Sequence, residues 1–140
     1  MADVFLPEKR SAVMSRIRSR GNRGTELRMI EVFRGYRITG WRRNGRVFGK
    51  PDFVFPGERL ALFVDGCFWH RHRRCKFAYI PKSRLEFWLP KFDKNVRRDK
   101  IVTRALRKSG WKVLRIWECQ LQRRNWPKIA RRIVRLREGR

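Results

Sequence analysis

The sequence predicts a single mixed α/β domain in which helices flank a central β-sheet. Three observations predict it. The chain has 140 residues, the span of one domain. Its 41% hydrophobic content is enough to bury a core. Helically spaced apolar positions alternate along the chain with short runs of β-formers, in the order α, β-hairpin or three-strand meander, α, β, α.

Residues 1–24 are basic and hold few apolar side chains, which predicts an N-terminal arm contacting DNA rather than core, followed by a domain over 25–140. A short helix fits Ala12 to Arg20, with Met14 and Ile17 on one face, until Gly21-Asn22-Arg23-Gly24 breaks it. Thr25 is positioned to cap the next helix, whose apolar face is Leu27, Met29, Ile30 and Phe33 and which Gly35 ends. Tyr36 to Arg42 and a Gly-containing turn lead to the strand Asp52 to Phe55. Pro56-Gly57-Glu58-Arg59 then connects it to the buried strand Leu60 to Asp65. Ser83-Arg84-Leu85-Glu86 matches a capping box, in which Ser and Glu each satisfy the other's free backbone N–H. Pro90 predicts a bend or restart, after which the helix runs from Lys91 to Ser109 and Gly110 stops it. Trp111 to Trp117 alternates as a strand. Asn125-Trp126-Pro127 opens a basic C-terminal helix with Ile129, Ile133, Val134 and Leu136 inward.

The charge balance points to a partner. Thirty-eight Lys and Arg against 12 Asp and Glu give +26, so a polyanion is expected and nucleic acid is the first candidate. Arg outnumbers Lys and interleaves with six Trp and ten Phe, a mixture suited to phosphate contacts and to stacking on unstacked bases. The longest apolar run is Leu60 to Val64, and no signal peptide or membrane span is visible, so a cytoplasmic, nucleoid-associated protein with no membrane partner is expected. Three Cys cannot pair off evenly as disulfides. Composition alone is silent about catalysis.

The whole chain has three Cys and two His, and four of the five fall into Cys67-x4-His72-x2-Cys75 with Cys119 beyond the last strand. Three thiolates and one imidazole make a closed tetrahedral set, the usual structural Zn²⁺ site, and Cys119 would tie the loop to the strand before it. The alternative, buried apolar cysteines, fits poorly with the neighbouring Arg71, Arg73 and Arg74. His70 is left over, free to act as acid or base, although a lone His is more often structural.

In a chain this basic, a carboxylate facing DNA repels phosphate and needs a reason, of which divalent-metal binding is the best. Antiparallel pairing across the Pro56–Arg59 turn brings the start of one strand near the end of the other. Asp52, Asp65 and His70 could then converge at one sheet edge, with Glu26 on the preceding helix, as in a nuclease that holds Mg²⁺ on the scissile phosphate. Taken singly, Asp52 is also just a strand start and Asp65-Gly66 a turn.

Four motifs then resemble one family. They are Pro51-Asp52-Phe53-Val54-Phe55; Phe63-Val64-Asp65-Gly66-Cys67-Phe68-Trp69-His70; Glu86-Phe87-Trp88 with Lys91-x3-Asn95-Val96-x2-Asp99; and Gly110-Trp111-x-Val113-Leu114-x-Ile116-Trp117-Glu118-Cys119. Running in order from about Arg10 to Cys119, they look like the very-short-patch repair (Vsr) endonucleases. The resemblance implies a fold related to the PD-(D/E)xK restriction endonucleases. It implies Mg²⁺-dependent nicking of one strand of double-stranded DNA, 5′ to the thymine of a T/G mismatch. It further implies that Asp52 and the backbone carbonyl of Val64 ligate Mg²⁺, that His70 is the general base, that Glu26 holds metal-bound water and that Asp99 is a further active-site acid. Phe68, Trp69 and Trp88 match a wedge that intercalates beside the mismatch, Met14 an arm residue entering the minor groove, and Lys91 and Asn95 positions near the mispair. A wedge of this kind works because unstacking is cheapest at a mispair. One departure is Val64-Asp65, where a family member carries Thr-His, which leaves open whether Asp65 is a metal ligand or an orienting acid.

The expected protein is therefore a monomeric mismatch nickase, with mismatch-repair proteins as candidate partners. Two alternatives stay open: a related restriction or mobile-element nuclease with another target, and an inactive zinc-stapled DNA-binding module.

Overall fold

A computed structural model describes residues 23–43 and 46–139. The expected arm, its short helix and Met14 lie outside the described residues, except that Arg23 and Gly24 belong to the first turn of the helix that follows. That helix, α1, spans Arg23–Gly35. It buries Met29, Ile30, Val32 and Phe33, but Leu27 is 44% exposed, so the apolar face is turned one position from the expected one and takes in Val32 instead.

A four-stranded sheet follows in the spatial order β1 (Arg42–Arg43), β2 (Phe53–Phe55), β3 (Leu60–Asp65), β4 (Lys112–Trp117). The first three strands form an antiparallel meander, with Phe53 opposite Leu62 and Phe55 opposite Leu60. β4 lies parallel to β3, Leu60 opposite Lys112 and Asp65 opposite Trp117. A parallel neighbour needs a crossover, and α2 (Leu85–Lys108) supplies it. Two short 3₁₀ turns, Glu118–Gln120 and Arg123–Asn125, lead into α3 (Trp126–Glu138).

The sheet is covered on both faces, so β3 is buried along its whole length. Its even positions Leu60, Leu62 and Val64 join Phe53, Phe55, Leu114 and Ile116 in the main core, closed by α1 and by Ile129, Ala130 and Ile133 of α3. Its odd positions Ala61 and Phe63 meet Val102 and Leu106 of α2. Asp65 shares that second parity, which carries its side chain to the α2 face. Val134 of α3 is 44% exposed, against expectation, because α3 uses Ala130 with Ile129 and Ile133 as its inner stripe.

Two local expectations at α2 are corrected. The helix starts at Leu85 on a left-handed Arg84 (φ 59°) with no side-chain cap, so Ser83 stands one residue too early for the capping box. Pro90 does not restart the helix, since α2 is continuous through it. Pro90 is the sixth helical residue, so only the bond to the exposed Glu86 carbonyl is given up. Gly110 (φ 90°) ends the helix as expected. Among the described residues no helix is long and apolar enough to cross a membrane.

Candidate active site and metal cluster

Two groups of polar side chains gather at the C-terminal end of β3. The first lies in a small pocket between that end and α2, bordered by Asp52, Asp65, His70, Asn95, Asp99 and Arg115. Asp52 precedes β2 and is 5% exposed; its Oδ2 accepts the N–H of Val64 at 2.7 Å, which fastens the strand start to the end of its partner. The expected convergence of Asp52, Asp65 and His70 is therefore realised. Burial, reinforced by the charges of Glu26 and Asp65, pushes the Asp52 carboxyl up to about 7 against the opposing Val64 hydrogen bond.

Glu26, from α1, is 4% exposed. Its Oε2 accepts a hydrogen bond from Arg43, while Oε1 is buried with no hydrogen-bond partner among the described residues. Among the described residues, no cation faces Asp52 in the way that Arg43 faces Glu26. The two buried carboxylates repel each other, and the local charge deficit sits at Asp52.

Asp65 and Asp99 are differently served. His70 Nδ1 lies 2.5 Å from Asp99 Oδ2 and 3.8 Å from Asp65 Oδ1. Arg115 donates from Nη1 to both oxygens of Asp65 (3.0 and 3.1 Å), from Nη2 to the Asp99 carbonyl (3.2 Å) and from Nε to Thr103 (2.8 Å). The Asp65 carboxyl is raised by burial, opposed by His70 and Arg115 and reinforced by Asp99. Asp65, His70 and Asp99 offer ligand atoms within 4.8 Å of one another, a set able to hold a metal ion, but the Arg115 guanidinium already supplies a positive charge there.

Sequence reasoning missed Arg115. The signal was available: an Arg in the middle of the strand Val113-Leu114-Arg115-Ile116, at the α2-facing parity, must be paired if buried.

The second group is the cysteine and histidine cluster. Cys67, His72, Cys75 and Cys119 bring their ligand atoms within 4.8 Å of one another. His72 Nδ1 is 3.6 Å from Cys67 Sγ and 3.4 Å from Cys119 Sγ. Tetrahedral zinc, at about 2.3 Å from sulfur and about 2.0 Å from nitrogen, separates its ligand atoms by about 3.5 to 3.8 Å, so the cluster has the dimensions of such a site. Burial lowers the His72 pKa, favouring the neutral imidazole that ligates, and the ring stacks on Trp117 at 4.2 Å. Burial pushes the Cys67 and Cys119 thiols up, so a cation would be needed to hold them as thiolates. Cys67 is fully buried despite the surrounding arginines, because Arg73 and Arg74 stay exposed while Arg71 folds inward. Arg71 donates to the carbonyls of Phe68, Ala78 and Tyr79 and lies 3.9 Å over the Phe92 ring, so it closes the loop.

The aromatic residues form a third cluster. Phe68 (8% exposed) and Trp88 (2%) pack with Phe92, and Trp69 is half-buried against them. The adjacent Phe68 and Trp69 rings meet edge to face at 5.4 Å, so both belong to one packed group. Asn95 donates to the Trp69 carbonyl at 3.2 Å, and Lys91 is exposed with Nζ 4.8 Å over the Phe87 ring.

A buried acid-and-imidazole pocket on a strongly basic α/β domain is the makeup of an enzyme that hydrolyses nucleic acid. Comparison with known proteins agrees. The family described as "DNA mismatch endonuclease Vsr" matches residues 2–76. A Xanthomonas oryzae protein, "Type II nicking enzyme V.XorIIP", is 42% identical over 122 residues, covering 86% of this chain and 88% of that protein. "Type II nicking enzyme V.NmeAIP" of Neisseria meningitidis is 41% identical over 124 residues, 87% and 86% of the two chains. "DNA mismatch endonuclease Vsr" of Escherichia coli is 39% identical over 124 residues, 89% and 78%. The chain belongs to the Vsr family of DNA mismatch endonucleases and is a DNA endonuclease, as the sequence motifs implied.

Proposed function

We propose that this endonuclease nicks one strand of double-stranded DNA 5′ to the thymine of a T/G mismatch, with Mg²⁺ as the catalytic cofactor and Zn²⁺ as a structural one. The observation that carries the metal-dependent part is Asp52, a buried carboxylate without a facing cation among the described residues, beside a His70–Asp99 pair. The donor set fits Mg²⁺: Asp52 has an uncompensated charge, and Glu26 Oε1 is buried without a donor among the described residues. The carbonyl of Val64 belongs to the same set, because the N–H and C=O of a strand residue lie on one side and the Val64 N–H reaches Asp52. Mg²⁺ there would polarise the scissile phosphate and neutralise charge developing on it.

The residues of the chain do the rest. Asp99 accepts the Nδ1 proton of His70, which leaves Nε2 as the basic nitrogen that takes a proton from the attacking water. Asp65 is an orienting acid in this reading: Arg115 holds it, and it flanks His70. Fold kinship with the PD-(D/E)xK nucleases rests on Pro51-Asp52 opening β2 and Asp65 closing β3, with Cys67 standing where their lysine would. Phe68, Trp69 and Trp88 serve as the mismatch wedge through the partly exposed edge of Trp69, with Phe68 and Trp88 backing it and opening only when DNA is bound. Lys91 and Asn95 flank it. Cys67, His72, Cys75 and Cys119 hold Zn²⁺, which fastens the loop bearing Phe68, Trp69 and His70 to the end of β4. Residues 1–24 serve as the arm and 25–140 as the nuclease domain, acting as a monomer.

A nicking assay with Mg²⁺ on duplexes carrying T/G, T/C or no mismatch tests this. T/G-selective nicking is expected, abolished in Asp52→Asn with binding retained. Equal cleavage of perfectly paired DNA would assign a different target, as the nicking-enzyme relatives allow. Binding without cleavage of any duplex would make the chain an inactive module.

A further inference from the structure

A broad groove opens beside the catalytic pocket, between residues 47–50 and α2. The catalytic pocket has a volume of about 30 Å³, room for an ion or a water molecule. The groove has about 720 Å³. Gly49, Arg98 and Val102 line both, so the two spaces adjoin.

Its walls are apolar and its rim is cationic. Phe48 is 61% exposed on one side and Ile101 62% exposed on the other, an arrangement that leaves apolar surface in water without a ligand. Around them, Lys50, Lys94 and Arg98 have no ion pair among the described residues. The one lining acid, Asp93, is neutralised by Arg97 at 3.0 Å.

The turn that presents Phe48 is held in place. Lys50 donates its N–H to the Val47 carbonyl at 3.0 Å. Gly49 has φ +83°, and a Cβ there would lie 2.2 Å from Val102 Cγ1. Only glycine lets the turn sit this closely on α2. Phe48 is thereby aimed outward by a fixed backbone.

We propose that this groove is a nucleotide subsite, which takes one base of the nicked strand next to the scissile phosphate and stacks it on Phe48. The proposal rests on the endonuclease reading of the adjacent pocket, and not on which mismatch is preferred. An aromatic face flanked by unpaired cations matches a base flanked by phosphates, since every base offers a π-face and every phosphate a charge. A purely apolar protein segment would leave Lys50, Lys94 and Arg98 uncompensated.

The test uses the full-length chain and whichever duplex the wild-type protein nicks, with 2-aminopurine placed in turn on each side of the cut. Asp52→Asn serves as the background for binding, so that fluorescence is read without cleavage. Expected are quenching of 2-aminopurine at one flanking position, loss of that quenching in Phe48→Ala and a KM raised about tenfold in Phe48→Ala. Phe48→Tyr, which keeps the ring, should restore both. Unquenched probe at both positions, or Phe48→Ala that binds and nicks like wild type, would overturn the subsite and leave the groove to another occupant. Failure of T/G selectivity alone would not move these readouts, so the two readings fail separately.

Discussion

Replacing Asp52 by Asn should make the zinc-loaded, Mg²⁺-free protein more stable at pH 8 while destroying its activity. The Asp52 carboxyl is raised from 3.8 to about 7 by burial and by neighbouring acids. Below pH 3.8 the group is protonated in both the folded and the unfolded chain and costs nothing. As pH rises toward 7 the unfolded chain loses the proton while the folded one keeps it, so stability falls, and above 7 the cost is complete. At 1.36 kcal/mol per unit the full cost is about 4 kcal/mol, and at pH 5 it is less than half of that. Asparagine keeps an acceptor for the Val64 N–H and carries no charge, but its amide is also buried at a cost of about 1 to 2 kcal/mol. The net gain at pH 8 is therefore about 2 to 3 kcal/mol, or roughly 8 °C in Tm for a chain of this size. Thermal melts of zinc-loaded wild type and Asp52→Asn at pH 5 and pH 8, in buffer without Mg²⁺ and then in excess Mg²⁺, read this directly. The difference should shrink strongly at pH 5, and Mg²⁺ should stabilise wild type alone. An Asn variant less stable than wild type at both pH values, or a Mg²⁺ shift of equal size in the two proteins, would refute the argument that Asp52 is an uncompensated, cation-seeking charge.

Other outcomes follow from the same structure. Elemental analysis should find close to one zinc per chain, lost in Cys119→Ser together with most of the thermal stability; full zinc retention in that variant would remove Cys119 from the ligand set. Arg115→Met should destabilise by about 3 kcal/mol at pH 8 and less at pH 5, because it strips a buried acid of its partner and raises the Asp65 carboxyl further. Adding Asp65→Asn should recover most of that loss in urea unfolding, and no recovery would show that the pair does not act as a unit. Gly49→Ala should cost about 2 kcal/mol through its left-handed φ and the contact with Val102, measured by the same titration. DNA binding should weaken steeply with salt, by about a thousandfold or more between 50 and 200 mM if six or more phosphates are contacted.

Much of this protein was legible without coordinates because its signals are local. The buried hairpin strand Leu60 to Asp65 shows as a continuous apolar run, Gly110 as a helix stop, and Cys67, His72 and Cys75 as a ligand loop, since each depends on chemistry within a few residues. Cys119 gathers with them in the fold, as its scarcity suggested: few residue types suit a metal ion, and the chain has few of them. The motif resemblance carried the family, which the relatives bear out. What local pattern misjudged was orientation and exposure. Leu27 and Val134 face water because helix rotation is decided by the sheet beneath, and the Ser83 cap fails because the loop delivers Arg84, left-handed, to the helix start.

The sequence by itself determined the α/β class, the cationic character suited to DNA and the family, and it named the acids, histidines and cysteines that gather at the end of β3. Only the tertiary structure decided how their charges are shared. Parallel pairing of β3 with β4 puts Arg115 against Asp65, 50 residues away, and leaves Asp52 without a facing cation among the described residues. That division depends on distances of a few ångströms inside a low-dielectric pocket, where a charge is satisfied or unsatisfied by what touches it rather than by what precedes it in the chain.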